Sequence, residues 1–300
     1  MAAEDPRLEE SPKFGGGDSS GAPTARRIVL GAQLRRLREA ADISRADAGY
    51  YIRGSDSKIS RMELGRVGFK ERDVADLLSF YGVHDEQERA VFLDMVRKSN
   101  ERGWWHRYSS IMPNWLQDFV GLEESASLIQ SHELQFVPGL MQTEDYARAV
   151  VSHGRPELLD PEGERRVALR LQRQKVLTRP GAPRLWAVVD ESVLHRPIGG
   201  HRVLRQQVEY LLELTRQPNV TLQILPYHMS GYAAEGAFSI LRFAEPSLPD
   251  IVYIEHLSGA LYLDRVDELE VYGRVIDRLA VDAETPDRSR QMLSKFRQDI

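Results

Sequence analysis

Residues 44–64 of the chain have the sequence SRADAGYYIRGSDSKISRMEL, and this segment determines the helix arrangement of the N-terminal part. Ser44 and Ser55 each stand before a run that favours a helix, where a hydroxyl side chain can cap the first turn. Gly54 separates the two runs. Gly65 follows the second run and suits a helix end, because glycine adopts a positive φ at little cost. The stretch therefore predicts two short helices joined by a tight turn.

The second predicted helix divides into two faces. Ile59 and Met62 lie one turn apart and should face a core, which turns the polar side chains of this helix outward. A helix that reads the major groove of DNA needs this division, because its first side chains contact base edges and arginine can grip guanine through two hydrogen bonds. The alternative is a plain helical bundle with solvated basic side chains. The candidate DNA-binding residues are Arg36, Ser44, Arg45, Ser55, Ser57, Lys58, Ser60 and Arg61.

Charge is distributed unevenly along the chain. Residues 26–72 hold twelve Lys or Arg and six Asp or Glu, whereas the 300-residue chain has a net charge of −5. The segment therefore carries +6 and the remainder −11. Such asymmetry is typical of a polyanion-binding segment attached to a different module. It favours double-stranded DNA as the partner of the N-terminal part.

Helical periodicity continues on both sides of the opening stretch. Residues 1–25 are polar and contain glycine, serine and proline, so they predict a disordered arm. Residues 26–100 predict an all-α helix-turn-helix domain of about five helices. Those helices are expected at residues 30–41, 44–52, 56–64, 74–81 and 86–100.

Helical and strand patterns are mixed in the remainder of the chain. Residues 101–285 predict an α+β domain with a small mixed sheet, followed by a polar tail over residues 286–300. A helix lies between the first two predicted strands, and this arrangement predicts that they pair in parallel. The expected helices are residues 116–130, 143–151, 161–178 (with Asp160 as N-cap), 203–216 and 266–279. The expected strands are residues 184–189, 220–225, 238–243 and 251–255.

Two sets of residues in the second domain are weak candidates for binding a partner or an effector. Arg166, Arg170 and Arg173 recur on one face of a predicted helix and could form an anion-binding stripe, or they could pair with acids of their own domain. The second set could line an apolar groove or form a turn in the core. It consists of Phe136, Pro138, Leu140 and Met141.

Little in the sequence indicates catalysis. The chain has no cysteine, which excludes disulfides and thiolate chemistry and suits a cytoplasmic, nucleoid-associated protein. No nucleotide-binding, hydrolase or zinc-protease motif is present, and no apolar run is long enough for a membrane span. We expect no catalytic residue, metal or cofactor. A carboxylate–histidine or metal site is the alternative, from His195, His228 and His256 with Asp190, Glu191 and Glu255.

Residues 28–81 resemble an Xre/Cro-type helix-turn-helix domain, and SKISRMELGR (residues 57–66) is close to the recognition-helix signature of that family. The family usually has glycine at the position of Arg53. The C-terminal part is similar to WhiJ-type, antitoxin-like regulators of actinobacteria. The segments that carry this similarity are GLEESASLIQSHELQFVPGLMQTEDYARAV (121–150), DESVLHRPIGG (190–200), PNVTLQILPY (218–227) and VYIEHLSGALYLD (252–264).

The resemblance, which spans about residues 28–285, implies a regulator whose gene often adjoins one for a small partner protein, and a C-terminal domain without an established catalytic role. We therefore expect a sequence-specific transcriptional regulator that binds an operator as a homodimer and whose C-terminal domain binds a small partner protein or an effector. Two alternatives stay open. One is an antitoxin-like module that sequesters a small partner and binds DNA for autoregulation, and the other is an enzyme tethered to DNA.

Overall fold

The computed structural model describes residues 25–154, 161–229, 236–246 and 248–300. The predicted disordered arm, except for Ala25, and the predicted N-cap Asp160 lie outside these residues. Among the residues described, no helix is both long and apolar enough to cross a membrane.

The N-terminal domain consists of five helices, as predicted: α1 (Ala25–Ala40), α2 (Arg45–Tyr51), α3 (Asp56–Glu63), α4 (Glu71–Phe80) and α5 (Glu86–Asn100). Two of the predicted caps are present. Ser44 Oγ accepts a hydrogen bond from the Asp47 N–H, and Ser55 Oγ accepts one from the Lys58 N–H. Each satisfies an amide that a helix start leaves without an intrahelical partner. The buried core of the domain includes Leu30, Leu34, Ile59, Met62, Val74, Leu77, Leu78 and Phe92.

Two glycines allow α3 to pack closely against its neighbours. A Cβ atom on Gly31 of α1 would lie 2.4 Å from the carbonyl oxygen of Met62, and one on Gly49 of α2 would lie 2.7 Å from the carbonyl carbon of Ser55. Both contacts are with backbone, which cannot move aside as a flexible side chain can. Any larger residue at these two positions would push α3 away from α1 or α2.

A buried ion pair joins α1 to α3. Arg38 Nε and Nη2 donate to the two carboxylate oxygens of Glu63 at 2.6 and 3.0 Å, and Arg38 Nη1 donates to the Ile43 carbonyl at 2.8 Å. Both residues are only 8% exposed. The hydrogen bond to Glu63 raises the pKa of Arg38. Arg38 therefore belongs to the core and does not add to the basic surface.

The C-terminal domain contains a six-stranded mixed sheet in the order β3-β2-β1-β4-β5-β6. The pair β2–β3 is parallel, as predicted for the strand–helix–strand unit. The pair β1–β2 is parallel as well, and the other three pairs are antiparallel. The strands are β1 (Leu128–Glu133), β2 (Arg184–Asp190), β3 (Val220–Leu225), β4 (Phe238–Arg242), β5 (Ile251–His256) and β6 (Gly259–Leu263). The helices are α6 (Asn114–Glu123), α7 (Glu144–Gly154), α8 (Pro161–Gln174), α9 (His201–Leu214), α10 (Val266–Asp282) and α11 (Pro286–Asp299).

The sheet is covered on both faces. On one face, α9 and α11 add Leu204, Val208, Leu211 and Leu293 to a core with Leu185, Ala187 and Ile224. On the other face, α10 places Ile276 and Leu279 against Val188, Ile240 and Val252. An α+β domain with a mixed sheet is thus confirmed, although the sheet is larger than expected because two of its strands were not predicted.

Three predictions in this domain were wrong, and one strand was missed. The helix expected over residues 116–130 ends at Glu123, and the following residues form β1 at the centre of the sheet. Strand β6 was not predicted at all. The helix expected to residue 178 ends at Gln174 and continues as a 3₁₀ turn. The expected polar tail is the amphipathic helix α11, capped by Thr285 and docked through the buried Leu293.

The two domains share α1. Ala25 is buried in the C-terminal core, and Ile28 and Val29 pack against it, which explains why α1 includes residues before the predicted start at residue 30. Arg27 donates to the Ser99 carbonyl at 3.1 Å. Asp118 of α6 faces Arg27 electrostatically, and its Oδ1 is buried without a hydrogen-bond partner among the described residues. Burial raises the pKa of Asp118 to about 7, and Arg27 opposes that shift.

The ion pair between Arg38 and Glu63 predicts a large difference between two glutamate substitutions. Glu63→Ala should lower the free energy of unfolding by about 3–5 kcal/mol, because it leaves the Arg38 charge buried and unpaired. Glu101→Ala removes an exposed pair with Arg26 and should cost about 0–1 kcal/mol. Urea titration, with hydrogen exchange of the α3 amides to locate the loss, checks both values. Equal losses would contradict the role assigned to the pair.

The pKa of Asp118 predicts a dependence of stability on pH. The folded chain holds this proton more tightly than the unfolded chain, so the contribution of Asp118 is present below its unfolded pKa and is lost as the pH rises through about 7. Asp118→Asn should therefore gain stability relative to the parent chain between about pH 4 and about pH 7, and the difference should level off at higher pH. Asp277→Asn, at an exposed position of α10, should show no such gain. A constant difference between parent and Asp118→Asn across this range would rule the effect out.

Candidate nucleic-acid interface

Helix α3 presents the two faces that its sequence predicts. Ile59 and Met62 are buried in the core of the N-terminal domain. Ser57 and Arg61 are exposed, and Ser60 is half-buried. The only hydrogen bond that the described residues give the Arg61 side chain is a long one of 3.4 Å from Nε to the Ser57 carbonyl, so its guanidinium is available for an external acceptor. The outward face is of the kind that enters a major groove.

The structure places Lys58 differently from the sequence-based expectation of a solvent-facing lysine. Its Nζ lies 2.6 Å from Asp73 Oδ2 of α4, and its side chain is 31% exposed while that of Asp73 is 15% exposed. The pair ties α3 to α4. A phosphate near Lys58 would have to share the ammonium group with Asp73. Lys58 therefore mainly positions α3 against α4, and its charge is less available to DNA than that of an unpaired lysine.

The remaining candidates around α3 have distinct surroundings. Arg45 Nε lies 3.3 Å from Asp56 Oδ1, and both side chains are about half exposed, so the pair can open at little cost. Arg36 is exposed on α1 and forms no ion pair among the described residues. The hydroxyls of Ser44 and Ser55 already serve as helix caps. DNA contacts by all four stay predictions.

Two exposed residues beside α3 were missed as candidates. Tyr50, at the end of α2, has 86% of its surface exposed. Arg53, in the turn between α2 and α3, has a φ of +54°, a left-handed conformation that costs a non-glycine residue roughly 1–2 kcal/mol. Arg53 is exposed and has no ion pair among the described residues. Xre/Cro-type domains usually have glycine at this position, and the positive φ of Arg53 explains that preference.

The predicted arginine stripe of the second domain is divided by its partners. Arg173 donates from Nε and Nη2 to the two carboxylate oxygens of Glu123 at 2.9 and 2.8 Å. Arg166 Nη2 donates to Glu162 at 2.8 Å. Arg170 donates to the Gln142 side chain at 3.0 Å. Two of the three arginines are thus held by acids of their own domain, which speaks against a continuous anion-binding stripe.

The predicted apolar groove is not formed. Leu140 and Met141 are 5% and 0% exposed and belong to the core, and Pro138 is buried as well. Phe136 alone of this set is exposed. The segment is therefore a turn packed in the core, held by side chains of α8 and α9 through Gln174 and Gln207.

His195 contacts a carboxylate and an aromatic ring. His195 Nε2 lies 3.4 Å from Glu191 Oε1, and the His195 ring stacks on Tyr227 with 5.5 Å between ring centres. The described residues contain no group of three or more His, Asp or Glu side chains that could hold a metal ion.

The positive φ of Arg53 predicts that a glycine at this position raises stability and lowers DNA affinity. Arg53→Gly should raise the free energy of unfolding by about 0.5–1 kcal/mol, because glycine adopts a positive φ without a Cβ clash. It should also weaken binding to all DNA sequences alike and reduce the dependence of log K on log salt by about one unit, if Arg53 neutralises one phosphate. Asp42 also has a φ of +54°, so Asp42→Gly is the matched control and should gain stability without losing affinity. Unchanged DNA affinity in Arg53→Gly would remove Arg53 from the interface.

Comparison with known protein families agrees with this division of the chain. A helix-turn-helix domain model matches residues 29–92, the region of the candidate interface, and supports a DNA-binding regulator. A second model, a domain of unknown function (DUF5753), matches residues 116–295. No curated protein and no solved structure matches the chain significantly. Because the second match covers more than half of its residues, the chain belongs to the DUF5753 family, with a helix-turn-helix domain preceding the family's domain.

Proposed function

We propose that this chain is a transcriptional regulator that binds specific sequences of double-stranded DNA with α3 in the major groove. The observation that carries the proposal is the outward face of α3, where Ser57 and Arg61 are exposed on a helix whose opposite face is fixed in the core. Arg61 is available for a bidentate contact with guanine. Arg36, Arg45 and Arg53 surround this face and act on the phosphates.

The protein binds DNA as a homodimer in this proposal, because helix-turn-helix proteins commonly contact two half-sites one helical turn apart. It acts on chromosomal DNA and carries out no catalysis of its own. The resemblance to WhiJ-type, antitoxin-like regulators supports a further role for the C-terminal domain. We propose that this domain binds a small effector or a small partner protein, and that binding changes operator occupancy through the shared helix α1.

Selection of genomic fragments by the full chain tests the function. The chain should enrich a small set of related sequences, and its affinity for them should fall steeply with salt while exceeding its affinity for unrelated DNA by about a thousandfold or more. Equal affinity for all fragments would contradict a sequence-specific regulator.

Arg61 is predicted to determine one base pair of that operator. Arg61→Ala should reduce the discrimination at a single G·C position by about 1–3 kcal/mol and leave discrimination elsewhere intact. Arg72→Ala removes an exposed arginine of α4 in the same domain and should leave discrimination unchanged. Competition titrations with single-base operator variants measure both. Uniform weakening across the variants would assign Arg61 to the DNA backbone.

A further inference from the structure

A polar cluster lies on the sheet of the C-terminal domain beneath α8. Ile129 of β1 and Tyr253 of β5 both belong to the core on this side of the sheet. Since side chains alternate along a strand, Ser131 and Glu133 of β1 and Glu255 of β5 point to the same side. These groups stand at the carboxyl ends of β1 and β5, the end of an α/β sheet at which ligands usually bind.

Three groups in this cluster have unused hydrogen-bonding capacity. Ser131 is 5% exposed, and its Oγ has no hydrogen-bond partner among the described residues. Glu133 is half-buried, and none of the described residues donates to its carboxylate. Arg170 forms one hydrogen bond, to Gln142, and no ion pair within the described part of the chain. Buried groups of these kinds are normally satisfied, because leaving them unpaired is costly.

The charged groups of the cluster, Glu133, Glu255 and Arg170, act on one another electrostatically. The charges of Glu133 and Glu255 both act on Arg170, and Glu255 also acts on Glu133. Burial and the neighbouring carboxylate raise the pKa of Glu133 to about 7, and burial lowers the pKa of Arg170 to about 10. The Arg170 guanidinium therefore stands near two carboxyl groups and forms no ion pair with either Glu133 or Glu255.

The surroundings hold these groups in place. Gln142, the partner of Arg170, donates to the Val137 carbonyl at 2.7 Å, and Gln174 donates to the Gln142 carbonyl at 2.7 Å. On the other side, the Tyr253 hydroxyl donates to Glu255 Oε2 at 3.0 Å. The neighbouring arginines of α8 are already paired with Glu123 and Glu162. The domain thus orients Arg170, and no acid among the described residues forms an ion pair with it, as in preorganised binding sites.

The charges select the kind of ligand. A simple anion would be attracted by Arg170 but repelled by Glu133 and Glu255, and a simple cation would be repelled by Arg170. A molecule that carries a negatively charged acceptor close to a positively charged donor satisfies both Arg170 and the two carboxyl groups. We propose that Ser131, Glu133, Arg170 and Glu255 bind a small zwitterion of the amino-acid type. Its carboxylate accepts hydrogen bonds from Arg170, and its ammonium group donates to Glu133 and Glu255.

This inference rests on the proposed effector role of the C-terminal domain and names the ligand class for it. It is tested without DNA, by isothermal titration of the full chain with each standard L-amino acid in turn. At least one should bind saturably. The amine and the carboxylic acid that correspond to the best binder, each lacking one of the two charges, should bind at least about tenfold more weakly.

Variants locate the site. Glu133→Gln and Arg170→Gln should each weaken binding of the same amino acid about tenfold or more, since each removes a charged hydrogen bond. Arg165→Gln, at an exposed arginine of the same helix, should leave binding unchanged. If Arg170→Gln fails to fold, as judged by circular dichroism, amino-acid binding by the nearly isosteric Glu133→Gln variant tests the site.

Failure of every amino acid to bind would overturn the inference, as would full binding by Glu133→Gln or equal binding of the single-charge analogues. Operator binding by the same preparation distinguishes the two proposals. Intact sequence-specific DNA binding with no amino-acid binding contradicts only the ligand site, whereas loss of specific DNA binding contradicts the proposed function.

Discussion

The ion pair between Arg38 and Glu63 is the interaction on which the DNA-binding domain depends. It joins the end of α1 to the end of α3 inside the core, with both carboxylate oxygens engaged. Gly31 brings the same two helices into backbone contact. Helix α1 also extends into the core of the second domain through Ala25. Helix α1 therefore connects α3 to that domain through packed side chains. A change at the C-terminal core therefore has a direct physical route to the helix proposed to read DNA.

Arginines perform three different tasks in this chain. Arg38 and Arg173 are buried with bidentate carboxylate partners and stabilise the folds of their domains. Arg61 and Arg53 are exposed beside the turn of the helix-turn-helix and have no acid partner in the described residues. Arg170 is half-buried and oriented by Gln142, and it has no acid partner within the described part of the chain. Local charge pairing, and not the number of arginines, therefore separates structural positions from candidate binding positions.

The sequence was sufficient to predict most of the fold and part of the candidate interface. Periodicity and caps predicted the five N-terminal helices and the outward face of α3, since these depend on neighbouring residues. Strand β1 was missed because it is buried at the centre of the sheet and its residues 130–132 are polar, so no alternating pattern marks it. The pairing of Lys58 with Asp73 and the positive φ of Arg53 depend on tertiary contacts and on turn geometry, which sequence periodicity does not report.

The most direct test of the central claim, that α3 lies on the bases of an operator, is site-specific photocrosslinking in the full chain. A photoreactive residue replaces Ser57 on the outward face of α3 or, as a control, Gln87, which is exposed on α5. Position 57 should crosslink to defined bases of the selected operator, and position 87 should not crosslink to them. Crosslinking from position 87 with none from position 57 would contradict the placement of α3 in the major groove.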